Sequence, residues 1–555
     1  MFDNVFMQIA AILGVAAVAG AGALLLRQPL IVAFLAVGIL LGPSGLGWVV
    51  QSGEIELFAR LGIALLLFVV GLKLDLHVIR TVGPVALATG MGQVLFTSVA
   101  GFLIAVALGM TVLSATYVAV ALTFSSTIII VKLLSDKREV DTLHGRIAVG
   151  FLIVQDIVVV LVMIGLTAVG QAGSGTSLGI EALLVVAKGA LMLATVAVLI
   201  RYVLPQVLDR VARSPELLML FSIALAVLGA SAGDALGFSK EVGAFLAGVA
   251  IASTPYRELV AARLVSLRDF LLLFFFIELG VGLELATLGS QVGTAAIFSL
   301  FVLVGNPLIV LIIMGYMGYR KRTAFLAGLT VAQISEFSLI LAALGLSLGH
   351  LDADTVGLIT LVGLVTISAS TYMILYSHAL YARLAPYLTV FERKVAYREA
   401  GVSPADDDKV DILLFGLGRF GAEIAGHLRE RGCRLLAVDI DPQKVRLFAR
   451  DGYSARYGDA EDPEFLASLP LDRAAWVVST LRDRVLDRAL IRALRHQDYT
   501  GRVAVASSSR LDAKMLEGEG VDMVLIPYSD AAREAADRLY PHSRTEFSQP
   551  PEPTT

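Results

Sequence analysis

Segments of about 20 predominantly apolar residues recur through the first two thirds of this chain, starting near Val5, Leu30, Leu57, Gly83, Val112, Arg146, Leu178, Leu217, Glu241, Phe270, Ala295, Ala324 and Val356. A run of that length satisfies its own backbone only as a helix and finds a matching solvent in a bilayer, so the pattern predicts about 13 membrane-crossing helices. With 57% hydrophobic and 17% charged residues, 555 positions are too apolar for a water-soluble fold and too many for one domain. The net charge of -4 and the lack of any basic cluster give no reason to expect a nucleic-acid partner. A single cysteine, Cys433, excludes an intrachain disulfide and a cysteine-based metal site, and seven scattered histidines show no zinc-ligand spacing. Met1 to Phe6 has neither the basic start nor the small-residue cleavage site of a signal peptide, so the first run is expected to remain as a span.

Positive charges set the expected orientation. Arg27, Lys73 with Arg80, Lys137 with Arg138 and Arg146, Arg201 with Arg210 and Arg213, Arg257 with Arg263 and Arg268, and Arg320 to Arg322 all fall in alternate loops. Those loops are cytoplasmic by the positive-inside rule, which puts the N-terminus outside and everything after about Leu384 inside a cell (inner) membrane. Lys240 is the visible exception in the opposite set.

Two spans carry polar residues at matching places in the two halves. The fifth contains Ser125, Ser126 and Thr127, the twelfth Gln333, Ser335, Glu336 and Ser338. They stand seven helices apart, as expected if helices one to six repeat as eight to thirteen with inverted topology, and such paired interruptions mark a midplane site formed by broken helices. Each alone is more commonly the mark of a helix contact through small hydroxyl residues. One helix after the first interruption, Asp156 lies within an apolar run, with Gln155 beside it supplying a neutral oxygen. Insertion scales put an aspartate at a helix centre at roughly +3 kcal/mol, so it marks an ion or proton path unless hydroxyls or amides of adjacent helices satisfy it structurally. Glu336 could neutralise half-helix N-termini or face the ion, the first being favoured. Lys240 and Glu241 are expected at an interface. Lys188 and Glu278, well inside apolar runs, are expected to snorkel or pair.

After Arg383 the period changes. Residues 386–409 read as a cytoplasmic linker, followed by alternating strands and helices over 410–540 and a disordered tail over 541–555. The strands expected at Val410 to Phe415, Arg434 to Val438, Ala475 to Ser479, Arg502 to Ala506 and Met523 to Ile526 form a doubly wound parallel sheet, with a helix over Ala422 to Arg431. The fold class is therefore an all-α polytopic membrane domain with two broken, crossing helices plus a C-terminal α/β Rossmann-like domain. Gly416, Gly418 and Gly421, with Arg419 and Phe420 between the last two, lie at a strand-to-helix turn that can cradle phosphate. Asp439, followed by Ile440, comes about 23 residues after Gly416, where a carboxylate accepts from a ribose 2′-OH and favours NAD(H), or AMP or ATP, over NADP. Asp459, next to Ala460, could face the adenine ribose, and Thr480 closes the fourth strand; both could equally be loop caps. Cys433 reads as a small buried residue.

Taken together these residues resemble the Kef-type monovalent cation:proton antiporter family, which ends in a KTN/RCK (TrkA-N) domain. The resemblance rests on Gly42-Pro-Ser-Gly-Leu-Gly, Leu67-Phe-Val-Val-Gly-Leu, Phe124-Ser-Ser-Thr, Gly150-Phe-Leu-Ile-Val-Gln-Asp, Gly243-Ala-Phe-Leu-Ala-Gly, Ala332-Gln-Ile-Ser-Glu-Phe and the glycine loop. It implies a homodimer in which a mobile core moves against a dimerisation domain, and makes Asp156 the carboxylate that alternately binds a cation and a proton. Gln-Asp in place of Asp-Asp resembles the potassium-type branch and favours K+ over Na+. Two departures follow from the comparison. Asn306 stands where many relatives carry a lysine that competes for the acidic site, leaving its coupling role open. The loop after Thr254 lacks the acidic sequence of glutathione-gated members. A nucleotide-gated channel lacks a Thr-Val-Gly-Tyr-Gly filter here, and a membrane-anchored dehydrogenase lacks a second substrate domain.

Overall fold

The computed structural model describes residues 5–540 except 50–52, 74–75, 138, 141, 172–191, 193, 213, 237, 253, 284, 394–409, 459, 461–464, 467–468, 482–483 and 508–509. It divides into two compact units, Met1–Arg393 and Lys394–Thr555.

The first unit is helical. In chain order it contains α1 (Val5–Leu25), α2 (Leu30–Leu41), α3 (Gly53–Lys73), α4 (Leu76–Ala107), α5 (Val112–Ala121), α6 (Thr127–Asp136), α7 (Leu143–Gln171), α8 (Leu204–Val211), α9 (Pro215–Ala235), α10 (Lys240–Ala252), α11 (Arg257–Val281), α12 (Leu285–Leu300), α13 (Asn306–Tyr316), α14 (Lys321–Leu329), α15 (Glu336–Ser347), α16 (Ala353–Leu375) and α17 (Ser377–Leu388). Among the described residues seven helices are long and apolar enough to cross a membrane, with shorter apolar ones beside them. Side chains such as Leu103, Leu161 and Leu228 stand more than 60% exposed, a surface that lipid rather than water must cover. Chain ends are set by local chemistry: Thr111 Oγ1 accepts from Ser114 N (3.2 Å), and Asp352 Oδ1 accepts from Thr355 N (2.8 Å). Lys188 lies outside the described residues.

Helices α2, α3, α10 and α11 pack against one another as a scaffold. Small residues let their backbones approach: a Cβ on Gly38 would stand 2.8 Å from Gly280 Cα, and one on Gly71 3.0 Å from Gly248 Cα. In lipid, where burial between helices gains little from hydrophobicity, such close contact supplies the attraction.

Among the described residues several spans depart from simple helices, including a π turn over Leu199–Val203 ahead of Pro205. The fifth and twelfth break between α5 and α6 and between α14 and α15. The eleventh widens to a π turn over Phe301–Gly305 before Asn306 and Pro307. Pro307 has no N–H to give, and the wider turn is how the ladder absorbs that loss in mid-span.

The second unit is a six-stranded parallel sheet in the order β3-β2-β1-β4-β5-β6. Its strands are β1 (Ile412–Phe415), β2 (Leu435–Asp439), β3 (Ser454–Tyr457), β4 (Trp476–Ser479), β5 (Arg502–Ala506) and β6 (Met523–Leu525), alternating with α18 (Arg419–Glu430), α19 (Pro442–Arg450), α20 (Arg484–His496), α21 (Arg510–Glu517) and α22 (Pro527–Leu539). β1 and β2 are wholly buried, as continuous apolar strands covered on both faces must be. α18 starts at Arg419, three residues before the expected Ala422, because Gly418 is extended and the chain turns helical at once. Helical structure in the first unit also continues through Leu388 and a 3₁₀ turn at Thr389–Phe391, past the expected start of the linker. The linker from 394 and the tail from 541 lie outside the described residues.

Candidate functional site

The chain between α5 and α6 has left the helical ladder inside an apolar unit, so its backbone groups need other partners. Side-chain amides supply them. Asn306 Nδ2 donates to Leu122 O (3.3 Å), Gln93 Nε2 donates to Thr123 O (3.1 Å), and Gln155 Oε1 accepts from Ser125 N (3.0 Å). The three amides are themselves joined: Gln155 Nε2 donates to Gln93 Oε1 (2.7 Å), Gln93 Nε2 to Thr97 Oγ1 (3.1 Å), and Thr97 Oγ1 to Asn306 Oδ1 (2.8 Å). Gln93, Thr97, Gln155 and Asn306 are all fully buried. Gln155, expected to offer an oxygen to the ion, therefore has both ends of its amide engaged in holding the break. Asn306 grips the carbonyl end of α5.

The second break is held by hydroxyls. Ser125 Oγ donates to Val331 O (3.4 Å), which joins the two breaks directly. Thr366 Oγ1 accepts from Ile334 N (3.4 Å), and Ser338 Oγ accepts from Ser335 N (3.3 Å). Gln333 Oε1 accepts from Ser370 Oγ (2.7 Å), while its Nε2 is buried without a hydrogen bond. Ser126 and Ser335 cap the following half-helices, their hydroxyls accepting from Ile129 N (3.3 Å) and Phe337 N (3.2 Å).

Two carboxylates then stand at the N-terminal ends of half-helices, where the macrodipole favours negative charge. Thr127, the first residue of α6, donates from Oγ1 to Asp156 Oδ2 (3.0 Å), and Asp156 is half-buried. Glu336, the first residue of α15, is buried, with Ser335 Oγ 3.4 Å from its Oε2. Of the residues expected at the site, Asp156, Thr127, Ser125 and Gln155 converge on the first break, and Gln333 and Glu336 on the second. Gln93, Thr97, Thr366 and Ser370 were missed; the signal that could have found them is their four-residue spacing, Gln93 with Thr97 and Thr366 with Ser370, on one face of an apolar helix.

Beyond α6, Lys137 Nζ donates to Ser377 Oγ (2.7 Å) and pairs with Glu139 Oε1 (2.9 Å). Glu139 also meets His144 Nε2 (3.2 Å) and His378 Nε2 (2.8 Å). Burial alone lifts the Glu139 carboxyl, but hydrogen bonds from His144 and His378 and the Lys137 ammonium outweigh it and hold the group well below the usual carboxylate range.

In the second unit the loop after β1 lies at the switch point where strand order reverses, the place where open α/β sheets take ligands. Gly416 adopts φ +95°, a turn for which glycine is suited, and a side chain on Gly421 would overlap Gly416 O and come 2.6 Å from Thr480 Oγ1. Thr480 Oγ1 donates to Gly416 O (2.8 Å). Thr480 thus braces the glycine loop. Asp439 also supports it, accepting from Leu417 N at Oδ2 (2.5 Å) and from Asp441 N at Oδ1 (2.7 Å), with Lys444 Nζ 3.7 Å away. Arg419 is exposed, Phe420 and Ile440 are half-buried and Ala460 is buried; Asp459 lies outside the described residues.

Two interrupted helices in contact beside an acidic helix, in a chain that also carries a nucleotide-type sheet, define a membrane transporter rather than an enzyme. Residues 12–375 match the family described as "Sodium/hydrogen exchanger, transmembrane", and residues 412–527 match the TrkA-N domain, a nucleotide-binding class. The chain belongs to that exchanger family, and with its C-terminal domain it is a cation/proton antiporter of the Kef type. It is 26% identical over 499 residues to the glutathione-regulated potassium-efflux system protein KefC of Klebsiella pneumoniae (strain 342), covering 89% of this chain and 78% of that one. It is 31% identical over 358 residues to K(+) efflux antiporter 4 of Arabidopsis thaliana, covering 63% and 59%. Among solved structures, the sodium proton antiporter MjNhaP1 of Methanocaldococcus jannaschii is 18% identical, with a TM-score of 0.46 and coverage of 70% and 99%.

Proposed function

We propose that the protein exchanges K+ for H+ by alternating access, with Asp156 as the group that takes the cation or the proton in turn. The carrying observation is the Thr127–Asp156 hydrogen bond at the start of α6, next to the Ser125–Val331 contact between the breaks. A carboxylate in that position is stabilised when ionised by the half-helix N-terminus and can be neutralised by a proton or a monovalent cation. Competition for one group enforces exchange, and rocking of the helices around the breaks exposes it to either side. Thr127 is offered as the neighbouring oxygen, with Ser125 at the same break; Gln155 and Asn306 hold that break, and Glu336 balances α15. Gln155 beside Asp156 supports K+ over Na+ by the likeness to potassium-type members. The protein works as a homodimer in the lipid bilayer, N-terminus outside, with a membrane domain over 1–385, a cytoplasmic linker over 386–409 and a nucleotide domain over 410–540. NAD(H), AMP or ATP bound at the Gly416–Gly421 loop shifts the population of transport-competent states by binding them unequally.

Proton release in proteoliposomes carrying a pH gradient, measured with Li+, Na+, K+ and Rb+, with and without NADH and AMP, tests this. K+ and Rb+ should discharge the gradient, nucleotide should change the rate, and Asp156→Asn should abolish it. Undiminished exchange by D156N would sink the mechanism, and a response to Na+ but not K+ would overturn the choice of cation.

A further inference from the structure

Glu278 was expected to snorkel or pair; its carboxylate does not pair among the described residues. Among them its carboxylate makes no hydrogen bond and no salt bridge, while its backbone oxygen accepts from Gly282 N (3.0 Å). It faces a cavity of about 900 Å³ between α3 and α11 on one side and α15 and α16 on the other. Glu56 and Arg60 of α3 are close enough to act on it electrostatically, but the Arg60 guanidinium is committed to Glu56. The other charged groups on the cavity wall are Asp234, Lys240 and Glu241.

Two physical costs fall on this carboxylate. It is half-buried in an apolar helix, and it occupies the last turn of α11, where the macrodipole is negative and disfavours another negative charge. No hydrogen-bond donor among the described residues offsets them, and Arg60, which acts on Glu278 from a distance, is already paired with Glu56; intramembrane carboxylates that persist at such cost serve an ion or proton path. The cavity leads the right way. Ile340 lines it and lies one helical turn, about 6 Å, along α15 from Glu336 at the second break.

We infer that Glu278 is an entrance residue for one side of the membrane, a carboxylate that attracts the monovalent cation on its way to Asp156 from the cavity's side. With four carboxylates against two bases, the cavity wall carries an excess of negative charge, and clefts of one sign concentrate counter-ions. Among the described residues the Glu278 carboxylate carries no ion pair and no hydrogen bond. The inference rests on the exchange mechanism proposed above but is independent of which face is outside.

Cation-dependent proton movement in right-side-out and everted membrane vesicles, with K+ and Na+ each as probe, separates the two entrances. Glu278→Gln should raise the half-saturating cation concentration about 10-fold in one vesicle orientation, the low end of the range for charged clefts. It should leave the value unchanged in the other orientation and spare the maximal rate. Glu278→Asp, which keeps the charge, should restore near wild-type behaviour, so loss of folding is distinguished from loss of charge. Equal effects from both sides, no effect from either, or an E278D variant as impaired as E278Q would overturn the inference. Failure of the exchange mechanism itself would show instead in D156N, which is expected to be silent in both orientations, and the affected side reports the orientation separately.

Discussion

Gln93→Leu is the sharpest test of how the first break is held. Leucine is close to glutamine in volume, so the substitution removes polar atoms without opening a large cavity. Gln93 makes three buried hydrogen bonds, to Thr97 Oγ1, Thr123 O and Gln155 Nε2. Thr97 keeps its bond to Asn306, so the groups left unpaired are Thr123 O and Gln155 Nε2. An orphaned buried group costs about 1–3 kcal/mol, and interhelical hydrogen bonds in membranes average ~0.6 with a maximum of ~1.7 kcal/mol. Two such losses amount to about 2 kcal/mol, enough to shift an equilibrium between intact and loosened breaks by roughly 30-fold. Turnover in proteoliposomes should therefore fall by about tenfold or more, and the melting temperature in detergent should drop. The half-saturating cation concentration should stay near the wild-type value, because none of Gln93's hydrogen bonds is to Asp156. Gln93 and Gln155 share a bond, so the double variant Q93L/Q155L should cost less than the sum of the two singles. Wild-type turnover and melting temperature in Q93L, or strict additivity in the double variant, would refute the account.

Glu139 gives a stability prediction with a defined sign. Its folded carboxyl titrates far below the ordinary glutamate range, so the stabilisation is fully present above that range and is lost only as pH falls through the lower folded value. Glu139→Gln should lower stability by about 1–3 kcal/mol at every pH from 5 to 8, since it leaves two histidines and Lys137 short of their acceptor; thermal unfolding across pH checks this, and the gap to the parent protein should close only under strong acid. Gly421→Ala forces a side chain against Gly416 O and Thr480. Calorimetry should detect no NADH or AMP binding by that variant, while exchange without nucleotide persists.

The breaks were legible because hydroxyl and acidic residues interrupt apolar runs at Ser125–Thr127 and at Gln333–Glu336, and the glycine loop because its spacing falls between a strand and a helix. Their partners were not. Thr89, Gln93 and Thr97 recur every four residues on α4 and are all buried, so the helical period marks a polar stripe there but not the break that it meets. Asn306 was noticed only as a departure from relatives; its grip on Leu122 O depends on the π turn before it, which local propensity does not predict. Gln155 was read as an ion ligand because it adjoins Asp156. Adjacent residues on a helix point about 100° apart, and here that rotation turns the amide to the break and the carboxylate to Thr127. The Glu139 cluster joins residues 139, 144 and 378, and its long-range member could not be paired from sequence separation alone.

The contact between Ser125 and Val331 spans 206 residues, and this bears on how the protein is made. While α14 and α15 are still unmade, the first break lacks the backbone oxygen that its serine hydroxyl reaches, and Asn306 is needed before Leu122 O is satisfied. A ribosome must therefore release almost the whole membrane unit before the central crossing can close. Partly synthesised chains in the bilayer carry the acidic helix without the opposite half of its surroundings.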